Sequence, residues 1–167
     1  MEVKIKKLHP DAVMPYKTYE GDFCYDCVAA SCAEVAPNVY KYGIGLAFQI
    51  DRDKGEPFIH GTVWNEYIEK SVDAGFVPLH LSIDFRPRSS VWKTGMVLSN
   101  CEGTIDELYR GEVSAVFYHV MPDMPRYRVG DRIGQIKLGF TLPMNFVVVD
   151  KLDESERGAG GYGSTGK

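Results

Sequence analysis

Residues 103–112 read Gly-Thr-Ile-Asp-Glu-Leu-Tyr-Arg-Gly-Glu, and the rest of the chain is organised around them. A short apolar arm enters a predicted tight hairpin, and a β-prone arm, residues 113–120, leaves it. Asp106 and Tyr109 lie three residues apart at the head of this hairpin. A carboxylate on a rigid hairpin is placed like a general base, and a nearby aromatic like a wall for a flat or sugar-like ligand. The alternative is a surface Asp in a turn beside a packed Tyr.

Outside this stretch, apolar and polar residues alternate in short runs. The longest run covers residues 40–50, where every second side chain is large and apolar, and residues 77–85 repeat the pattern. A period of two indicates β-strands with one buried face. Further strands are predicted at residues 3–8, 23–30, 112–120, 132–140 and 145–149. Turn residues separate nearly all of them, so the sequence predicts an antiparallel all-β domain over residues 1–152.

Residues 51–76 depart from this rhythm and form a predicted insertion. Thr62 can cap a helix that runs over about residues 62–74, and Gly75 ends it. The apolar stripe of this helix indicates core packing, subunit packing or contact with a protein partner.

Residues 153–167 form a predicted flexible, glycine-rich tail with almost nothing to bury. A linker would account for the glycines but not for Arg157, Tyr162 and the Ser164-Thr165 pair set among them. Glycine-rich backbone with hydroxyls and an arginine suits a phosphate chain, and the tyrosine can stack on a base.

Composition and charge fit one ordinary globular domain. The 167 residues are 44% hydrophobic and 25% charged, with a net charge of −4. The sequence shows no basic patch that would bind duplex nucleic acid or a membrane surface. It also shows no apolar run long enough to span a membrane and no signal sequence, so neither nucleic acid nor a membrane is expected as a partner. Cys24 and Cys27 have metal-site spacing, but no second pair completes a zinc site, so the cysteines are interpreted as reduced thiols of a cytoplasmic protein.

Five motifs in chain order resemble those of the trimeric dUTP pyrophosphatases (dUTPases). The motifs are Tyr-Asp-Cys-Val-Ala at 25–29, Pro-Arg-Ser-Ser at 87–90, residues 100–111, Gly-Asp-Arg-Ile-Gly-Gln at 130–135 and the glycine-rich residues 157–166. The third and fifth motifs are long, and the resemblance covers roughly residues 20–50 and 77–167. Residues 51–76 are not explained by it.

The resemblance implies a distorted antiparallel jelly-roll, the β-clip of this family, assembled as a homotrimer with three shared active sites. The tail of one subunit would close over the site of a neighbour. Such enzymes hydrolyse dUTP to dUMP and pyrophosphate with magnesium on the phosphates, which keeps uracil out of DNA and supplies dUMP for dTMP synthesis.

Carried over residue by residue, the resemblance makes Asp106 the base that activates the attacking water and places Gln135 near the α-phosphate. The phosphates would be held by Arg88, Ser89, Ser90, Gln135, Arg157, Gly158, Ser164 and Thr165. A serine of the Ser89-Ser90 pair could instead cap a short helical stretch at 91–93. Asp131 and Arg132 are interpreted as structural, either as a local ion pair or as a subunit contact.

The uracil and deoxyribose would contact Asn100, Gly103, Thr104, Ile105, Asp106, Tyr109, Ser114 and Tyr162. Magnesium would be held chiefly by the phosphates and water, because it needs few protein ligands. Asp26 would lie near the metal, through water, or brace the site; the alternative is a strand Asp that caps a neighbouring turn.

Four residues depart from the family pattern: Cys24 and Gly134 replace a usual Gly and Ala, Trp92 replaces a small residue, and Leu108 replaces an acid. Two alternatives stay open. One is a dCTP deaminase, or a bifunctional deaminase–dUTPase, on the same fold. The other is a non-catalytic nucleotide-sensing or protein-binding module whose partner contacts residues 51–76.

Overall fold

The computed structural model describes residues 2–52, 58–59 and 77–160. Within these residues the chain forms twelve strands: β1 Glu2–Lys7, β2 Tyr25–Val28, β3 Ser31–Ala36, β4 Val39–Gly43, β5 Leu46–Asp51, β6 Phe58–Ile59, β7 Val77–Pro78, β8 His80–Arg86, β9 Met96–Leu98, β10 Gly103–Asp106, β11 Ser114–His119 and β12 Arg132–Thr141. A 3₁₀ helix covers Ser89–Thr94, around the short helical stretch predicted at 91–93. The helix predicted at 62–74 lies outside the described residues.

Two four-stranded antiparallel sheets form the body of the molecule. Their strand orders are β10-β8-β12-β2 and β3-β4-β11-β9, and the pairs β1-β5 and β6-β7 are also antiparallel. The predicted antiparallel all-β class is therefore confirmed, and the jelly-roll-like arrangement fits it. No helix within the described residues is long and apolar enough to cross a membrane.

The core is built from the apolar faces of these strands. Tyr42, Phe117 and Ile133 are completely buried. The Tyr42 ring packs edge-to-face against Phe117 and Tyr127, with ring centroids 5.9 and 6.1 Å apart. Such contacts stabilise a core beyond the burial of area alone. The Tyr42 hydroxyl donates a hydrogen bond of 2.8 Å to the carbonyl oxygen of Tyr127, which satisfies its polar end.

The long alternating run at residues 40–50 is interrupted rather than continuous. β4 ends at Gly43 and β5 begins at Leu46, because Gly45 adopts a left-handed backbone with φ +70°. A Cβ at this position would lie 2.8 Å from the Cβ of His9, so the position requires glycine. The break moves the chain from β4 to the β1-β5 pair while the large apolar side chains on both sides stay buried.

The predicted hairpin around residues 103–112 is wrong as a pairing, although both arms are strands. β10 pairs with β8, whereas β11 pairs with β4 and β9 in the other sheet. Residues 107–113 therefore cross between sheets. Val113 marks the crossing: it is buried, and its N–H donates a 2.9 Å hydrogen bond to the carbonyl of Leu46.

The strand predicted at residues 145–149 is also wrong. Residues 142–149 form no strand, and the Val148 side chain is 99% exposed. Alternation and β-propensity are present there, but no strand of the described chain pairs with this segment.

Gly134, where the family motif has Ala, is explained by its neighbour. A Cβ at Gly134 would lie 2.1 Å from the Phe85 Cζ atom. Phe85 is a buried core residue of β8, so its large ring occupies the space that the usual methyl group needs.

All four cysteines are free thiols. Cys27 is buried, and this burial, followed by the charge of Asp26, raises the pKa of its thiol to about 12. It therefore stays protonated and packs as a small apolar residue.

Candidate active site

Asp26 is a buried carboxylate on β2 that gathers two side chains of the predicted site, Arg88 and Gln135, together with Arg132; we call these four residues the Asp26 cluster. Its Oδ2 lies 3.0 Å from the Arg132 Nη1, and its Oδ1 accepts a 3.2 Å hydrogen bond from the Gln135 Nε2. The Arg88 Nε lies 3.1 Å from Oδ1, but its N–H has no hydrogen-bond acceptor among the described residues, so this contact is an ion pair only. A carboxylate surrounded in this way is braced, and it fixes the positions of Arg88 and Gln135.

The antiparallel register of β2 and β12 explains this cluster, since Asp26 lies directly opposite Gln135. The local ion pair predicted between Asp131 and Arg132 is wrong: the Asp131 Oδ2 accepts a 2.6 Å hydrogen bond from the backbone N–H of Arg128, and Arg132 pairs with Asp26.

Arg88 immediately precedes the 3₁₀ helix and occupies its N-cap position, with an extended backbone (φ −71°, ψ 155°). Neither Ser89 nor Ser90 is therefore the N-cap, which removes that alternative. Ser89 is exposed and Ser90 is half-buried. Trp92 is exposed on the same helix.

A polar row continues along the same outward face of the sheet. The Lys137 Nζ lies 2.5 Å from the Asp84 Oδ2, and the Ser82 hydroxyl donates to Oδ1 at 2.8 Å. Burial raises the pKa of Asp84, but hydrogen bonds from Lys137 and Ser82 outweigh this effect, so its pKa lies below the usual range. Lys137 and Asp84 face each other directly across β12 and β8.

Asp106 ends β10, opposite Ser82 of β8, and its side chain is exposed. The backbone N–H of Tyr109 donates a 3.0 Å hydrogen bond to the Asp106 carbonyl and closes the turn. We call residues 106–111 the Asp106 turn. The structure therefore presents Asp106 and Tyr109 together at one end of the sheet, as the sequence predicts.

Tyr109 rests on Gly111. A Cβ at Gly111 would lie 2.4 Å from the Tyr109 Oη, and that hydroxyl donates a 3.1 Å hydrogen bond to the Glu112 carbonyl. The ring is thus packed on the turn backbone while about half of its surface, 48%, faces solvent.

The other predicted nucleoside contacts lie along β10, back to its start, and at the beginning of β11. Asn100 and Thr104 are exposed, Gly103 and Ser114 are half-buried, and Ile105 packs against the core. A Cβ at Gly103 would lie 3.8 Å from the Asn100 Nδ2, so the Asn100 amide lies beside the start of β10.

The tail is described as far as residue 160. The Arg157 Nε donates a 2.9 Å hydrogen bond to the Gly160 carbonyl, and Gly158 has a left-handed φ of +53°. Both residues are exposed and contact only the tail in the hydrogen bonds they make. The candidates Tyr162, Ser164 and Thr165 lie outside the described residues.

Within one chain, the Asp26 cluster and the Asp106 turn are separate. Gln135 lies opposite Arg86, and Asp106 lies opposite Ser82. These two β8 positions are four residues apart, which corresponds to about 13 Å along a strand. The Asp26 cluster and the Asp106 turn of one chain therefore lie at opposite ends of the same sheet face, whereas the nucleoside candidates Asn100 and Gly103 lie at the start of β10, opposite Phe85.

Sequence reasoning missed the ion pairs of Asp26 with Arg88 and Arg132 and two further ion pairs, Asp84–Lys137 and Arg52–Glu107. The partners of these two further pairs are 53 and 55 residues apart in the chain. The alternation of residues 77–85 placed Asp84 on a polar face, but no local signal indicated which residue would lie opposite.

Comparison with known proteins agrees with the motifs. A sequence profile of the dUTPase family matches residues 73–166. A protein of Nautilia profundicola named deoxyuridine 5'-triphosphate nucleotidohydrolase is 30% identical over 170 residues, covering 100% of both chains. One of the same name from a Picosynechococcus species is 29% identical over 99% of both chains.

Solved structures show the same fold. A dUTPase of Staphylococcus bacteriophage 80alpha with the nucleotide dUPNHPP has a TM-score of 0.72 at 19% identity, covering 99% of both chains. A mutant dUTPase of the Staphylococcus aureus phage phi11, described as revealing the coordination of a structural Mg(II) ion, has a TM-score of 0.62 at 15% identity over 90% of this chain and 98% of that one.

Proposed function

The chain belongs to the dUTPase family, and we propose on that basis that it hydrolyses dUTP to dUMP and pyrophosphate. The observation that carries the proposal is the pair of polar assemblies on one sheet face, the Asp26 cluster and the Asp106 turn. Each contains the side chains that one half of such a substrate needs.

Asp106 acts as the general base. A water oxygen attacks the α-phosphorus and forms the new P–O bond, and the water proton passes to the Asp106 carboxylate. The bond from the α-phosphorus to the bridging oxygen breaks, and pyrophosphate leaves with that electron pair. The exposure of Asp106 allows it to reach a water beside a bound nucleotide.

The phosphate side consists of Arg88, Ser89, Ser90 and Gln135, joined by Arg157, Gly158, Ser164 and Thr165 of the tail. Gln135 donates one amide N–H to Asp26, and a glutamine amide has two such donors. The second N–H can therefore hold an α-phosphate oxygen. Catalysis of this kind depends mostly on positioning and charge stabilisation.

The nucleoside side consists of Asn100, residues 103–106, Tyr109 and Ser114, with Tyr162 stacking on the uracil. Polar groups that are matched to uracil and covered by the bound base reject cytosine, whose donor and acceptor pattern is reversed, because they would lose their partners. Tyr109 packed against the deoxyribose excludes a 2′-hydroxyl.

Magnesium is held mainly by the triphosphate and water in this proposal. When bound there, Mg²⁺ withdraws charge from the phosphates and makes the phosphorus easier to attack. The sequence predicts Asp26 either as an indirect metal contact or as a brace. Its contacts with Arg88, Arg132 and Gln135 support the brace, because a carboxylate already engaged by two guanidinium groups is a weak ligand.

The active unit is a homotrimer with shared sites. The separation of about 13 Å between the two assemblies of one chain supports this, since Asp106 and Gln135 are both assigned to the α-phosphate and lie too far apart in one chain to meet there. The exposed apolar side chains of residues 142–152 also support association, because an isolated chain rarely exposes such a patch.

The four free thiols of the chain suit a reducing compartment such as the cytoplasm.

The test is pyrophosphate release from dUTP, dCTP, dTTP and UTP with magnesium. Wild type, Asp106→Asn, a chain ending at Glu156 and the control Asp123→Asn, an exposed loop residue, are compared. We expect release from dUTP alone, lost in Asp106→Asn, much reduced without the tail and unchanged in the control.

Two other results would redirect the proposal. Ammonia released from dCTP would place the protein among the bifunctional deaminases. Binding of dUTP without any turnover would make it a nucleotide sensor.

A further inference from the structure

Arg52 and Glu107 form a partly buried, two-point ion pair beside the Asp106 turn. The Arg52 Nη2 donates a 2.6 Å hydrogen bond to the Glu107 Oε2, and its Nε contacts the Glu107 Oε1. The same Nη2 donates to the Leu79 carbonyl at 3.0 Å. Only 33% of the Arg52 side chain and 19% of the Glu107 side chain are exposed. The pair therefore ties the end of β5 and the chain just before β8 to the turn.

Glu107 is the residue directly after Asp106, so its anchoring restricts the Asp106 backbone. On the other side of Asp106, Ile105 packs against the core. The Glu107 carbonyl accepts a 2.6 Å hydrogen bond from the Arg110 Nη1, which also contacts the Tyr109 carbonyl at 3.0 Å. Asp106 is thus held on both sides while its own carboxylate faces solvent.

The charge state of Glu107 suits this task. The hydrogen bond from Arg52 holds the pKa of the Glu107 carboxyl below its usual range, against the opposite effect of burial. The pair is therefore ionised on both sides at neutral pH. A bidentate arginine–carboxylate contact adds geometric precision as well as energy.

We propose that Arg52 and Glu107 are positioning residues that fix the Asp106 turn, and with it the Asp106 carboxylate and the Tyr109 ring, for reaction with the nucleotide. The inference rests on the proposed function for its catalytic consequence. Neither residue is among the candidate site residues of the sequence analysis, although Glu107 lies within the third motif. Their contact is instead a property of how β5 meets the turn in this chain.

The test is a double-mutant cycle with Arg52→Met, Glu107→Gln and the double variant. These substitutions keep the bulk of both side chains and remove the ion pair. We expect kcat on dUTP to fall ~10-fold in each single variant with little change in KM, because a small displacement of a reacting group slows chemistry more than binding. The double variant should lose no more than the worse single variant, since both lose the same contact.

Lys4→Met is the matched control. Lys4 forms a 2.8 Å ion pair with Asp51, the last residue of β5 and the chain neighbour of Arg52, so this variant removes a different ion pair from the same strand end. Its kcat should equal that of wild type. A single-variant kcat equal to wild type, or losses that multiply in the double variant, would overturn the proposal.

Amide hydrogen exchange separates this proposal from the proposed function. The Tyr109 N–H, which closes the turn, should exchange faster in Arg52→Met and Glu107→Gln, while the Ile44 N–H, bonded to the Val113 carbonyl at 3.0 Å, should not change. If wild type does not hydrolyse dUTP, the proposed function fails and this exchange alone decides the positioning role. Unchanged exchange at Tyr109 would reject that role whatever the turnover.

Discussion

At the scale of single residues, the position of Tyr109 depends on the absence of a side chain at Gly111. A Cβ there would lie 2.4 Å from the Tyr109 Oη and 2.6 Å from its Cζ, so Gly111→Ala must push the ring away from the turn. We expect this variant to discriminate dUTP from UTP ~10-fold less than wild type, because the ring would no longer exclude a 2′-hydroxyl. The measurement is the ratio of kcat/KM for the two nucleotides.

Gly21→Ala is the control for this prediction, because a Cβ at Gly21 has no heavy atom within 4 Å. Its discrimination should match that of wild type. Equal discrimination in Gly111→Ala would mean that Tyr109 does not select the sugar.

Asp84 makes a residue-scale prediction about pH. The hydrogen bonds from Lys137 and Ser82 lower its pKa despite burial. A carboxylate with a lowered folded pKa contributes stability that is complete above its ordinary pKa of about 4 and is lost as the pH falls through the folded value. The free energy of unfolding should therefore fall more steeply below about pH 4 in wild type than in Asp84→Asn.

Lys137→Met tests the cause of that shift. Without the ammonium group, burial would dominate and raise the pKa of Asp84. Lys137→Met should therefore have a lower free energy of unfolding than wild type at neutral pH, and this difference should shrink as the pH falls. Urea unfolding between pH 3 and pH 7 measures both variants. Parallel pH curves for all three proteins would show that the Asp84–Lys137 pair carries no linked proton.

At the scale of strands, β8 and β12 pack together because a large side chain of β8 lies against a glycine of β12. Phe85 fills the space above Gly134, where a Cβ would lie 2.1 Å from its ring and 2.7 Å from the Arg86 carbonyl oxygen. Gly134→Ala should therefore destabilise the protein by ~1–3 kcal/mol, as overpacking does in other cores.

A second substitution checks that explanation. Phe85→Leu removes the ring atoms nearest Gly134, so Gly134→Ala should cost less stability in the Phe85→Leu background than in wild type. Urea unfolding of the four proteins gives the coupling. Additive losses would show that the backbone, rather than the ring, opposes the methyl group.

The strands also show what sequence patterns can and cannot predict. Alternation identified β8, β12 and most of residues 40–50, because burial of one face leaves a period of two whatever the partner strand is. The same pattern could not show that Gly45 divides its run, or that β10 and β11 belong to different sheets, because pairing is decided by distant residues. At residues 145–149 alternation predicted a strand where the described chain offers no partner.

The candidate site likewise contains residues that the sequence predicted and contacts that it did not. Asp106, Tyr109, Arg88 and Gln135 were predicted because short motifs carry them, and the structure groups them in two places. The Arg52–Glu107 and Asp84–Lys137 pairs were not predicted, because each joins segments more than 50 residues apart in sequence. The bracing of Gln135 by Asp26 likewise depends on the register of β2 against β12.

At the scale of the whole molecule, the separation of the Asp26 cluster from the Asp106 turn makes a shared site testable. Asp106→Asn and Arg88→Ala should each abolish turnover as pure proteins. Suppose that each site of a trimer combines Asp106 of one subunit with Arg88 of another. After random exchange of the two variants, a site is intact when its Asp106 comes from an Arg88→Ala chain and its Arg88 comes from an Asp106→Asn chain. Each assignment has an even chance, so roughly a quarter of the sites should be active.

The experiment mixes the two variants in equal amounts, allows subunits to exchange and measures pyrophosphate release from dUTP. Mixing Asp106→Asn with Tyr109→Ala is the control, since both residues lie on the Asp106 turn of one chain and exchange should give only the average activity of the two pure variants. Recovery in the first mixture alone would place the two halves of each site on different subunits. No recovery in either mixture, despite exchange shown by mass spectrometry, would place the whole site within one chain, and the Asp106 turn would then have to approach the Asp26 cluster when the nucleotide binds.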